Sequence, residues 1–170
     1  MVITALLIAF GIIIPTAFGF LRLILGPFTA TITAHVPIFV AMFLSPASAV
    51  FTAIGTTIGF LVAGVDIVVT VRAASHIIFA IVGAYMIKKE RSVISIGITI
   101  AIIHALTEAA VVLLFFIFGQ PTDPATIIKV AFITTGVGTI IHHAIDYVIA
   151  VVIYKALEKA KAVKALPKLI

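Results

Sequence analysis

The sequence predicts an all-α integral membrane protein: a bundle of six transmembrane helices with both termini in the cytoplasm. Of 170 residues, 64% are hydrophobic and 10% are charged. A soluble domain has roughly 45–50% and about 25%. Mean hydropathy is +1.40. Polar matter is too scarce to cover a water-soluble globule, and the same numbers exclude disorder. Apolar runs are broken by Pro, Gly and charge at intervals that suit membrane crossings. The cations also gather. Lys155, Lys159, Lys161, Lys164 and Lys168 sit in the final stretch, and Lys88, Lys89 and Arg91 form a second cluster. In so apolar a chain, a net charge of +5 reads as membrane orientation, not as a nucleic-acid surface. With no cysteine, disulfides, thiolate metal sites and cysteine nucleophiles are excluded.

The chain reads as a single membrane domain, residues 1–170. The first helix covers about 2–18, with Pro15 near its end. A loop, Gly19–Ala30, carries Arg22 and the Gly26-Pro27 turn signal. The second helix covers about 31–45 and is stopped by Pro46; the third covers about 47–63, before Gly64 and Asp66. The fourth covers about 67–87 and closes on Lys88-Lys89-Glu90-Arg91. The fifth covers about 92–118 and ends at Gly119, where Gln120-Pro121-Thr122-Asp123-Pro124 makes a turn. The sixth covers about 126–154 and runs into a basic C-terminal tail, 155–170. A spanning helix needs about 20 apolar residues. The second and third fall short, so they tilt, lie partly re-entrant, or join as one kinked span in a five-span alternative. The two basic clusters lie on one side under either count, and the positive-inside rule makes that side cytoplasmic.

An ionised side chain at mid-bilayer costs about 2.5–3.5 kcal/mol even on the lenient insertion scale. This chain carries several. Arg72 and His76 share a face of the fourth helix, His104 and Glu108 a face of the fifth, and His142 and Asp146 a face of the sixth, with His143 beside them. His35 lies early in the second helix. Such groups are tolerated facing one another or a wet cavity, so the last three helices are expected to turn these faces inward. Counting depth at about 1.5 Å per residue places Arg72 roughly 9 Å below the outer surface, His76 roughly 15 Å and Glu108 roughly 16 Å. Thr135 falls in the outer half as well. Asp146 lies roughly 30 Å down, too deep to reach that pocket. Arg72, His76, Glu108 and Thr135 are thus expected to meet in an outer-half hollow. The plainer alternatives are an ion pair that locks two helices, and histidines that only pack.

Other motifs are weaker. His104-x-x-x-Glu108 and His142-x-x-x-Asp146 have metal-ligand spacing, but without an HExxH pattern no metal or cofactor is expected. Thr52, Gly55, Thr56, Thr57 and Gly59 read as small residues for close helix contact, and Ala5 and Ala9 form a flat strip on the first helix. No P-loop, HExxH or GxSxG occurs in the sequence. The chain is therefore not expected to be an enzyme.

Size, six-span layout and several segments together resemble a known family. They are Ala5-x-x-x-Ala9, the stretch His35-Val-Pro-Ile-Phe-Val-Ala-Met-Phe-Leu-Ser-Pro46, Gly55-Thr-Thr-Ile-Gly-Phe-Leu-Val-Ala-Gly64 and Arg72-Ala-Ala-Ser-His-Ile-Ile-Phe-Ala80. Over nearly its whole length the chain resembles an S component, the substrate-binding membrane subunit of an energy-coupling factor (ECF) vitamin importer. The branch is that of hydroxymethylpyrimidine, pyridoxine and niacin. The resemblance implies a multi-pass protein of the bacterial plasma membrane. It would bind one small heterocyclic vitamin in a cavity built by the last three helices and closed by the Gly19–Ala30 loop. Hydroxymethylpyrimidine or pyridoxine ranks ahead of niacin. Arg72, His76, Glu108, His104, Thr135 and His35 are the candidate binding residues. Phe28, Phe79 or Tyr85 would supply stacking in a chain without Trp. Ala5 and Ala9 would dock on a transmembrane T component, with two cytoplasmic ATPases driving the cycle. The competing reading from another class is a stand-alone proton-coupled carrier using Glu108, Asp146 and the histidines. A third is a structural assembly subunit.

Overall fold

The computed structural model describes residues 2–25, 28–119 and 123–164. The Gly26-Pro27 turn, the Gln120-Pro121-Thr122 part of the second turn and the tail beyond Lys164 lie outside them. Six helices form the described body. They are α1 (Val2–Ala17), α2 (Val36–Leu44), α3 (Pro46–Val62), α4 (Ile67–Lys88), α5 (Val93–Phe118) and α6 (Pro124–Lys159). The middle of α6, Lys129–Val137, is wound as a π-helix. Helix starts carry the expected chemistry, because the first-turn N–H groups need an acceptor. Ser45 accepts from the Ser48 N–H, Asp66 from Val68, Ser92 from Ser95 and Asp123 from Thr126. Pro46 and Pro124 sit in the first turn, where a missing N–H is harmless.

Two elements differ from the sequence expectation. The Gly19–Ala30 segment is not a plain loop. A 3₁₀ turn (Gly19–Leu21) leads into an antiparallel hairpin, β1 (Arg22–Leu25) with β2 (Phe28–Thr31). Pairing the strands satisfies backbone groups at the rim of an apolar bundle. Arg22 ties the hairpin back to α1 by donating to the Pro15 carbonyl at 3.0 Å and to Thr31 Oγ1 at 3.2 Å. The second helix starts at Val36 rather than near residue 31, so α2 has nine residues. At about 1.5 Å per residue it spans roughly 14 Å, half of a hydrocarbon core of about 30 Å.

Every residue from Val36 to Phe43 is buried. The bundle is wrapped around α2, whose Phe39 shares the core with Phe79, Ile96, Ile100, Tyr147 and Tyr154. Tyr147 donates to the Val93 carbonyl at 2.9 Å, and its ring lies on Gly97, where a Cβ would come within 2.5 Å of it. Small residues on α3 permit close helix contact, as the sequence suggested, and the helix that makes it is α1. A Cβ on Gly59 would meet Ile12 Cα at 2.7 Å and the Gly11 carbonyl at 2.8 Å. Ala5 and Ala9 lie on the exposed side of α1, with Leu6 and Phe10. The outward sides of the helices are mostly apolar, for example Ile98, Ile102, Ile141, Val148 and Val152. Among the described residues three helices, α4, α5 and α6, are long and apolar enough to cross a membrane.

Candidate functional site

One junction gathers the buried charge. Arg72 on α4 donates to Glu108 Oε2 on α5 at 2.7 Å, and both side chains are buried. Glu108 Oε1 accepts from His76 Nε2 at 3.1 Å. Thr139 on α6 donates its hydroxyl to Glu108 Oε2. One carboxylate therefore links three helices. A lone charge at this depth would be prohibitive; with its partners supplied by side chains it becomes tolerable.

The hairpin roofs the junction. The Arg72 guanidinium reaches the Thr29 carbonyl at 3.4 Å and lies 5.5 Å from the centre of the Phe28 ring, a cation–π distance. The Phe28 ring rests on Gly138 of α6, where a Cβ would fall 2.8 Å from it. Beneath the roof is a cavity of about 20 Å³, lined among others by Thr29, Thr31, His35, Arg72, His76 and Glu108. It has room for about one water. In this closed form the residues that would hold a ligand hold one another.

Over 167 residues the chain is 33% identical to the niacin transporter NiaX of Lactococcus lactis subsp. cremoris (strain MG1363). The alignment covers 94% of this chain and 75% of that relative. The chain belongs to the ECF S components, in the niacin-like branch. No family model matches it, and no solved structure does. As an S component it is a vitamin transporter subunit.

Of the residues predicted for this S component's site, Arg72, His76 and Glu108 come together as expected, and His104 joins them. Its Nε2 stands 3.5 Å from Glu108 Oε1, longer than an ordinary hydrogen bond. His35 is also at the junction, but just ahead of α2 rather than within it. Its ring packs edge-on against His76, His104 and His142 at 4.6–4.7 Å between centres. Two expectations need correction. Thr135 is buried but does not line the cavity, and its hydroxyl has no hydrogen-bond partner among the described residues; Thr139, one turn further on, bonds Glu108 instead. The π-helical stretch lies immediately before it and changes which side chains face inward. No feature of the sequence flagged Thr139.

The other correction is Asp146. Depth counted along α6 separates it from the pocket, yet it is one hydrogen bond from the histidines. Its carboxylate accepts from the Thr33 N–H at 2.9 Å, the His35 N–H at 3.1 Å and His35 Nδ1 at 3.1 Å. The segment between β2 and α2 descends into the bundle to meet it. Thr33 adopts φ 72°, a left-handed conformation disfavoured for Thr, and the Asp146 carboxylate holds that turn. Asp146 thereby anchors the inner end of the hairpin.

Among the aromatic candidates, Phe28 roofs the site and Phe79 packs 4.6 Å from His104, whereas Tyr85 is exposed on the outside of α4. One ring nitrogen each from His35, His76 and His104 lie within 4.8 Å of one another, as do ligand atoms of His35, His142 and Asp146.

Proposed function

We propose that this S component binds niacin, or a pyridine-type vitamin with the same carboxylate, and delivers it through an ECF importer. The observation that carries the reading is Arg72, a buried guanidinium held by Glu108 under the Phe28–Thr29 roof. A guanidinium fork matches a carboxylate in plane and charge. The name of the relative moves niacin ahead of hydroxymethylpyrimidine and pyridoxine. Ligand admission requires the hairpin to lift, because about 20 Å³ holds no ring. Phe28 and Phe79 offer apolar walls, and the imidazoles and Thr139 offer polar atoms, the few-polar-groups pattern of small-ligand sites. In this reading the chain crosses a bacterial plasma membrane six times with both ends inside. Ala5 and Ala9 form a smooth strip against which a T component packs, and two ATPase subunits supply the energy.

Calorimetry on purified protein in detergent tests the ligand. Niacin is expected to bind at least about tenfold tighter than pyridoxine or hydroxymethylpyrimidine. Arg72→Ala removes high-affinity binding, and Arg72→Lys keeps charge without the fork and binds weakly. Unchanged affinity in Arg72→Ala takes the residue out of the site. The docking strip is tested separately. Ala5→Leu with Ala9→Leu should leave niacin binding intact and abolish co-purification with a co-expressed T component. A complex that survives both substitutions refutes the strip.

A further inference from the structure

The histidines of the junction do more than line a vitamin site. Each of the three nearest rings has one nitrogen already committed. His35 Nδ1 faces Asp146 and His76 Nε2 faces Glu108; a carboxylate only accepts, so both nitrogens carry the proton. The opposite nitrogen of each is then a bare lone pair. His104 Nδ1 lies 3.0 Å from His143 Nδ1, a contact in which either ring can donate; in the tautomer where His104 donates, its Nε2 is bare too, 3.5 Å from Glu108 Oε1. Neither His76 Nδ1 nor His104 Nε2 has a hydrogen-bond partner, and both are buried. The three rings come from three elements and bring one nitrogen each to within 4.8 Å of one another. The rings are held by two carboxylates and a further imidazole, the kind of partner that orients metal-bound histidines.

Charge points the same way. With neutral imidazoles, Glu108 and Asp146 outweigh Arg72 by one negative charge. An anionic vitamin would enter a cluster already negative. A divalent cation, together with that vitamin, brings the cluster to neutrality. This second argument rests on the function proposed above; the lone pairs do not.

We propose that His35, His76 and His104 hold a divalent transition-metal ion of the zinc class at the inner wall of the cavity. Three imidazoles with a further position open suit Zn²⁺, Co²⁺ or Ni²⁺. The neighbouring cavity has space for about one water, so the open position is taken by water or by a ligand atom. The i,i+4 pairs considered from the sequence are not this set, because its members come from α4, α5 and the turn before α2.

Co²⁺ is the probe, added to tag-free protein in detergent after chelator treatment. Wild-type protein is expected to take up one equivalent and to show the visible absorption of a low-coordinate cobalt site. His76→Asn and His104→Asn each abolish that absorption. Asp146→Asn, which leaves all three ligands in place, weakens Co²⁺ by about 10–100-fold. Absence of stoichiometric uptake by the wild-type protein overturns the site without reference to any variant. Uptake retained in a His35→Asn, His76→Asn, His104→Asn triple variant overturns it as well. Niacin calorimetry on the same samples separates the two readings. Niacin bound without cobalt uptake ends the metal site and leaves the vitamin reading standing. Cobalt uptake without niacin binding supports the metal site and ends the niacin reading. Niacin affinity unaltered by metal removal overturns the charge-balance argument.

Discussion

The α1–α3 seam and the α4–α5–α6 junction join helices by opposite chemistry. In the seam, Gly11, Gly55 and Gly59 let backbones approach, with the Ile8 side chain against Gly55 and the Ile12 backbone against Gly59. Among the described residues a single hydroxyl pair, Thr4 with Ser48, is the one side-chain hydrogen bond between α1 and α3. No charged group takes part. At the junction, Arg72, Glu108, His76 and Thr139 connect helices through hydrogen bonds. In a bilayer, apolar contact between helices gains little over apolar contact with lipid. The seam therefore depends on close fit. The junction depends on partners, since each member would be costly alone. A fit can be kept rigid, whereas a set of polar partners can be exchanged for a ligand's own groups. That is why the roofed end of the bundle, and not the seam, suits a binding site.

The largest expected effect strikes the junction. Glu108→Ala leaves Arg72 buried without its carboxylate and should lower stability by about 3–5 kcal/mol, read as thermal unfolding in detergent. Replacing both, Arg72→Leu with Glu108→Leu, should recover most of that loss without restoring niacin binding. If the double variant is as unstable as the single one, the pair is not the joint described here. A smaller effect is expected at the seam. Gly59→Leu forces backbones apart and should cost about 1–3 kcal/mol, with niacin affinity unchanged in the folded fraction. An affinity that falls in step with stability would show that seam and junction are not separate. The smallest effect tests the roof. Gly138→Ala pushes the Phe28 ring off its seat. Helix propensity favours Ala by up to about 1 kcal/mol, so the ligand-free protein should not be weakened. Niacin release should nonetheless quicken by roughly tenfold, about 1.4 kcal/mol, measured by chase of labelled niacin. An unchanged release rate would mean that Phe28 does not retain the ligand.

Much of the junction was legible beforehand. Arg72 with His76 and His104 with Glu108 are four apart on helices that hydropathy alone delimits. The cost of burying them dictates that their faces meet. Close packing at α3 was readable from Gly55 and Gly59, but that α1 is the helix packed there was not, because small residues do not name their partner. The hairpin was hidden because its strands, Arg22–Leu25 and Phe28–Thr31, have four residues each. So short an apolar run does not distinguish strand from loop. Thr139 was hidden by the π-helical stretch, which breaks the 3.6-residue count on which facing residues are assigned. Asp146 was misplaced because depth was measured along one helix, while its partners, Thr33 and His35, arrive from a segment that folds inward.

By itself the sequence determined what must be buried and which side chains could not face lipid, because solvation depends on composition and helical spacing alone. It did not determine which groups would satisfy them. That was decided by the tertiary structure, where a short inward turn brings His35 to Asp146 and a widened helix brings Thr139 to Glu108. Hydrogen bonds act over about 3 Å, and contacts between residues far apart in the chain are set by how elements pack rather than by their order.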